Sequence, residues 1–333
     1  MKLPSFEYGL IGKYRSQLMG IAILNVLLLH SMAWLDFNAS NILLKGFSVI
    51  CGILFTEGFL FLSGFGLYYS YHNNRNPKQF FCKRIQRMLI PYWIMTLPFF
   101  IAWMLVGFYG FPGLMLRFST LEFWINGNYA GMWYISVSVF LYLCFPLIYR
   151  CLCERGGVVL LLTLIMIVVS GIFFLNPEYF QKVSLGIVKI PFFVIGAWVG
   201  KQSFEKKSLN FGWIVLLIVL LVSLEIHLVF PWLNLQEGMV RLLGLLVCSV
   251  FLLWTDKIKV LHVFHQALGW LGQYTLELYI IHLMIMASMP SDFLNKYVQT
   301  AIAVGGAFLL CVPAHNLCTY LSDKIVTRTI QKI

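Results

Sequence analysis

Charge is what this chain has least of. Only 11% of its 333 residues are Asp, Glu, Lys or Arg, and just 13 are acidic, whereas a soluble domain carries about 25% charged residues. A surface so poor in charge excludes a soluble enzyme. Hydrophobic residues make up 60% and mean hydropathy is +0.83, which excludes a disordered chain. Cysteine spacing excludes a disulfide-rich secreted domain: Cys51, Cys82, Cys144, Cys151, Cys153, Cys248, Cys311 and Cys318 fall in apolar runs or at their basic ends. Cys151-x-Cys153 lacks the paired CxxC units of a zinc site, so the cysteines read as soft packing residues. No H-E-x-x-H, G-x-S-x-G or Gly-rich phosphate loop is present, and there is no tandem repeat.

What the chain does have is apolar runs long enough to cross a hydrocarbon core of about 30 Å. Ten candidate spans lie near 17–35, 46–70, 88–107, 131–149, 157–175, 185–200, 211–230, 238–254, 272–289 and 298–320. Only helices or closed barrels satisfy the backbone in lipid. Val158–Val169 is apolar on every face, so the expected fold is an all-α polytopic membrane protein forming a single domain over 1–333. The first span, with Asn25 and His30 and no small-residue cleavage site, reads as retained rather than as a cleaved signal.

Basic residues orient these spans. Of 24 Lys and Arg, 18 fall in one set of alternate segments and four in the other (Lys45, Arg117, Lys182, Lys296). The positive-inside rule then predicts cytoplasmic termini and explains the net charge of +11 without a nucleic-acid partner. Pro77–Arg87 mixes Lys and Arg with Phe pairs, as a helix in the headgroup layer would, and Lys257–Trp270 is a weaker version. On the opposite side, Phe108–Asn128 is the longest connection and could cover a site.

Polar residues inside spans are costly and therefore informative. His30 shares one helical stripe with Arg15, Met19 and Val26. A neutral histidine can act as a general base near pH 7; the alternative is a hydrogen bond to a neighbouring helix. Glu57 could orient His30 or pair with Lys189 or Arg241. Ser63-Gly64-Phe65-Gly66 invites close backbone approach. Arg84 and Arg87, three apart, suit phosphate capture, although topology alone would put basic residues there. Glu277 and His282 are about 140° out of phase, so helix–helix hydrogen bonding suits them better than a shared substrate atom. Glu225 and His227 read as interfacial.

In this order the pieces resemble the acyltransferase-3 family of polytopic membrane acyltransferases. The similarity runs through Gly20–Ile23 leading to His30, Glu57 six residues before Ser63-Gly64-Phe65, and Phe80–Tyr92 with its R-x-x-R and Pro-Tyr. It continues through Trp133–Val137 with Tyr142 and Pro146, then Leu271-Gly272 through Tyr279 and His282. Two positions depart from the family pattern: Met19 stands where members often carry Arg, and Ser138 where many carry Glu. Arg15, one turn earlier on the stripe, is a candidate substitute for the missing arginine.

The resemblance implies transfer of an acyl group, commonly acetyl from cytoplasmic acetyl-CoA, to a hydroxyl of a cell-surface or lipid-linked glycan, in a bacterial plasma or inner membrane and without a metal. His30 would be general base or transient acyl carrier and Glu57 its orienting partner. Arg15, Arg84 and Arg87 would hold the CoA phosphates, with Ser63 or Tyr134 as oxyanion donor. Expected partners are the glycan or lipid-linked sugar acceptor and membrane lipids, with a homo-oligomer left open. The competing class is a transporter or flippase of glycan precursors, for which no inverted repeat is visible. A sensory or scaffold domain would leave His30 and Glu57 unexplained.

Overall fold

The computed structural model describes residues 5–35, 56–127, 131–210, 235–289 and 294–330. A short helix α1 (Gly9–Lys13) leads into α2 (Arg15–Trp34), then α3 (Thr56–Asn73), α4 (Pro77–Arg84), a π-helical turn over Ile85–Leu89, and α5 (Ile90–Leu105). Helices α6 (Phe111–Phe118) and α7 (Glu122–Asn126) occupy the long connection before α8 (Trp133–Cys153), α9 (Gly157–Leu175), α10 (Pro177–Ile187) and α11 (Ile190–Phe204). The last group is α12 (Leu235–Thr255), α13 (His262–Gln273), α14 (Thr275–Ser288) and α15 (Lys296–Ile330). One small ribbon joins the all-helical body: β1 (Ser5–Glu7) pairs antiparallel with β2 (Ser208–Asn210), Phe6 opposite Leu209.

Among the described residues, six helical stretches are long and apolar enough to cross a membrane, including 77–105 and 177–204 as continuous units. The segments 242–255 and 275–288 are apolar but shorter. Residues 46–55 and the expected span at 211–230 lie outside the described residues, as do Lys45, Glu225 and His227. The count of ten spans and the cytoplasmic termini therefore rest on the sequence.

Pro77–Arg87 is not a separate helix: the π turn carries helical hydrogen bonding through Ile85–Leu89 and joins it to the candidate span that runs to Leu105. Its start is built locally: the Asn76 side chain accepts from the Gln79 amide, and Pro77 needs no partner at the first position. Asn176 and Pro177 start α10 in the same way. Gly156, at φ 73°, supplies the left-handed step between α8 and α9.

Two helix pairs form the centre, α3 with α11 and α2 with α13. Small residues let their backbones touch: a Cβ on Gly64 or Gly196 would strike the carbonyl oxygen of Phe193 or Phe61, and one on Gly20 or Gly272 that of Leu268 or Ser16. The pairings Gly196 to Phe61 and Gly200 to Phe65 show that α3 and α11 run parallel. By contrast α9 is peripheral. Only 6% of its apolar window is buried, and Ile167, Phe174 and Leu175 face outward, as lipid-facing residues do.

Candidate active site

Arg15, at the first position of α2, begins the site. Its Nε donates to the Leu62 carbonyl oxygen of α3 at 3.1 Å, which needs a close approach of the two helices. Gly66 provides it, since a Cβ there would stand 3.0 Å from the guanidinium atoms of Arg15. The guanidinium then lines a cavity of about 230 Å³ together with Arg84 and Arg87. Arg15 comes from a stretch of sequence far from Arg84 and Arg87, and the three meet at one space. Met19 lines the same cavity, so Arg15 delivers its charge to the space that an arginine at position 19 would face.

The π turn positions the other two cations. Arg84 closes α4, and Arg87 sits inside the turn. Arg84 Nη2 donates to Ser70 Oγ at 3.4 Å, while among the described residues nothing accepts from its buried Nε. A buried donor left in this state favours an acceptor brought by a ligand. On the far wall, Ser63 Oγ and Tyr142 Oη are 2.9 Å apart, with Tyr134 beside them. Both residues named from sequence as oxyanion donors thus reach the arginine cavity.

His30 lies near the other end of α2, about 22 Å from Arg15 along the helix axis. Its Nδ1 stands 2.9 Å from Nε2 of His282 on α14, and the rings stack at 5.2 Å. His282 Nδ1 is 2.7 Å from the Leu278 carbonyl oxygen. A carbonyl only accepts, so in the neutral pair His282 carries its proton on Nδ1 and accepts at Nε2 from His30 Nδ1–H. The lone pair of His30 is then on Nε2, the tautomer a general base requires. His30 lines a second cavity of about 310 Å³ with Trp34 and Met286. Tyr279 stands between the arginine cavity and the histidine pair. It lines the arginine cavity, its ring is edge-on to His282 at 6.0 Å, and its hydroxyl donates to the Gly131 carbonyl oxygen.

Glu57 stands apart from both cavities. Its Oε1 is 3.3 Å from Lys189 Nζ, and Thr56 closes the triangle by accepting from Lys189 at 3.0 Å and donating to Glu57 Oε2 at 3.2 Å. Lys189 also lies 4.8 Å from the Trp133 ring centre, in cation–π contact. Of the partners open to Glu57, Lys189 is the one seen here; the side chain of Arg241 is outside the described residues. The group facing His30 Nδ1 is His282. Sequence reasoning gave His282 only a helix–helix hydrogen bond, and missed that its partner is His30 of the first span. Two histidines 252 positions apart leave no local signal of their meeting.

The sequence profile of the acyltransferase-3 family, described as an acyltransferase domain, matches residues 18–315. The chain belongs to that family and is an integral membrane acyltransferase. Comparison with curated proteins and with solved structures returned no match.

Proposed function

We propose that the protein moves an acyl group, acetyl in the simplest case, from acyl-CoA to a hydroxyl of a cell-surface or lipid-linked glycan in a bacterial cell membrane. The observation that supports this reading best is the division of α2, with a three-arginine cavity at one end and a tautomer-fixed imidazole near the other. Guanidinium groups suit the diphosphate of CoA through charge-assisted hydrogen bonds. The Arg84 Nε, without an acceptor among the described residues, is the donor such a phosphate would satisfy. The acyl arm extends past Met19 and Tyr279 toward His30.

At the thioester, His30 Nε2 takes the proton of the acceptor hydroxyl as its oxygen attacks the carbonyl carbon. The C–S bond breaks, and the proton passes to the departing thiolate. His282 holds the His30 ring and its Nδ1 proton. Ser63 and Tyr134 line the arginine cavity rather than the His30 end, so they are not assigned to an oxyanion formed beside His30. Glu57 supports the site by fixing Lys189 and the start of α3, and the Lys189 charge lies within electrostatic reach of His30.

Membranes carrying the protein, given labelled acetyl-CoA, should deposit label in the glycan or lipid-linked fraction. His30→Ala should abolish that label while inserting normally. Label retained in the variant would remove His30 from the chemistry, and unlabelled membranes that still move glycan precursors would favour a transporter.

A further inference from the structure

The arginine cavity is too small for the donor just proposed. At about 230 Å³ it falls below the roughly 300 Å³ at which sites for drug-sized ligands begin, yet CoA carries a diphosphate, a ribose with a 3′-phosphate and an adenine. The acyl arm leaves on the side of Met19 and Tyr279. The nucleotide must therefore leave through another wall, and one wall opens onto a larger space. Arg87, Thr275 and Leu276 line both the arginine cavity and a third cavity of about 550 Å³, built between the π turn, the start of α14 and the end of α15.

The chemistry of the two spaces differs. The arginine cavity concentrates guanidinium groups, as a diphosphate needs. The larger chamber adds Lys83, Gln273, Thr319 and His315, a mixture of donors and acceptors fitted to a base and a sugar. His315 is held in place: its Nδ1 is 2.8 Å from Oε1 of the buried Glu277, and its ring meets Tyr274 edge-on at 5.2 Å. With Nδ1 committed to the carboxylate, Nε2 is the nitrogen left to serve the chamber. Glu277 and Asp323 are both engaged, the first by His315 and the second by the Gln86 amide at 2.6 Å, and Lys83 and Arg87 set two cations against them in the same lining.

We propose that this chamber binds the adenosine 3′-phosphate end of the donor, with Lys83 and His315 taking the 3′-phosphate and Arg87 at the junction holding the diphosphate. This rests on the acyl-CoA reading above. The proposal is tested with the full-length protein in nanodiscs by calorimetric binding of CoA, 3′-dephospho-CoA and adenosine 3′,5′-bisphosphate. Wild type should prefer CoA over dephospho-CoA by about tenfold, the scale of one charge-assisted contact. Lys83→Gln with His315→Gln should erase that preference and weaken the bisphosphate about equally, leaving dephospho-CoA unchanged; Lys83→Arg should restore part of it. CoA binding with no such preference, or an unaltered preference in the double variant, would overturn the chamber assignment alone. A wild-type protein that binds neither CoA nor the bisphosphate would overturn the donor reading with it. Bisphosphate binding without acyl transfer would overturn the function and leave the nucleotide site standing.

Discussion

The two ends of α2 are built on opposite plans. At the Arg15 end, five helical elements part to leave a space walled by cations and hydroxyls, and a glycine at 66 makes the room. At the His30 end, two rings lock together against a carbonyl oxygen among Trp34, Leu283 and Met286. At the first end the buried Nε of Arg84 has no acceptor among the described residues. At the second, the hydrogen bonds fix one proton on each histidine. Under the proposed function, binding and proton transfer would draw on different physics, with one helix keeping them a set distance apart.

The sharpest way to break this contrast is at the His30 end. His30→Ala should lower kcat by about a thousandfold, within the range for removal of a general base, and leave KM for acyl-CoA near its wild-type value; stopped acylation with a large rise in KM would mean that the two ends are not separate. His282→Ala should lower kcat by roughly a hundredfold, the cost of a misplaced catalytic group. It too should spare KM, and His282→Gln, whose side-chain carbonyl can accept from His30 Nδ1, should recover part of the rate.

At the Arg15 end the effect should move from kcat to KM. Gly66→Ala adds a methyl that the guanidinium of Arg15 must yield to, and KM for the donor should rise several-fold, about what a weakened charge-assisted contact is worth. Gly64→Ala, two residues earlier, meets the Phe193 backbone instead. Its cost should appear as about 1–3 kcal/mol of stability, the usual penalty for overpacking, read as a lower melting temperature in detergent. If Gly66→Ala lost stability and kept its KM, the cavity end would be a packing site like its neighbour.

The smallest effect belongs to the foot of α2. Asp256 accepts from Lys13 Nζ at 2.9 Å and Tyr14 Oη at 2.8 Å, and these two donors hold its carboxyl below the ordinary value of 3.8. A carboxyl depressed in the folded state contributes stability at pH above 3.8, and that contribution is lost as pH falls through its folded value. Melting temperature should therefore decline slightly faster below pH 4 in wild type than in Asp256→Asn. The pair is exposed, so salt should erase the difference.

How much of this could be read from sequence varies with the range of the interaction. Apolar runs marked the helices, because burial in lipid is written residue by residue; α9 matches its expected span at both ends. The face shared by Arg15 and Met19 was also readable, since it follows from helical phase alone. The meeting of Arg15 with Arg84 and Arg87 depends on which helices pack, and Gly66 hinted at it only by being small. Phase separated Glu277 from His282, and the two do serve different partners, His315 and His30. It could not say which partners, because those bonds are made by tertiary packing. Glu57 illustrates the same limit: an acid in lipid must find a cation or a donor, and the sequence offered several.

The π turn at Ile85–Leu89 has a consequence for how this chain can change length. Hydrogen bonds there close five residues back rather than four, so the segment carries one more residue than an α-helix would use over the same rise. Deleting one of the five would turn the segment into regular α-helix with its flanks nearly in place, whereas deleting a residue from the regular helix that follows would swing everything before it by roughly 100° relative to everything after it. Arg84 and Lys83 would then point at different neighbours with no residue in their own walls altered. Inside an unbroken helix the residue count decides which neighbours a side chain meets, and the π turn is a place where that count can drop by one.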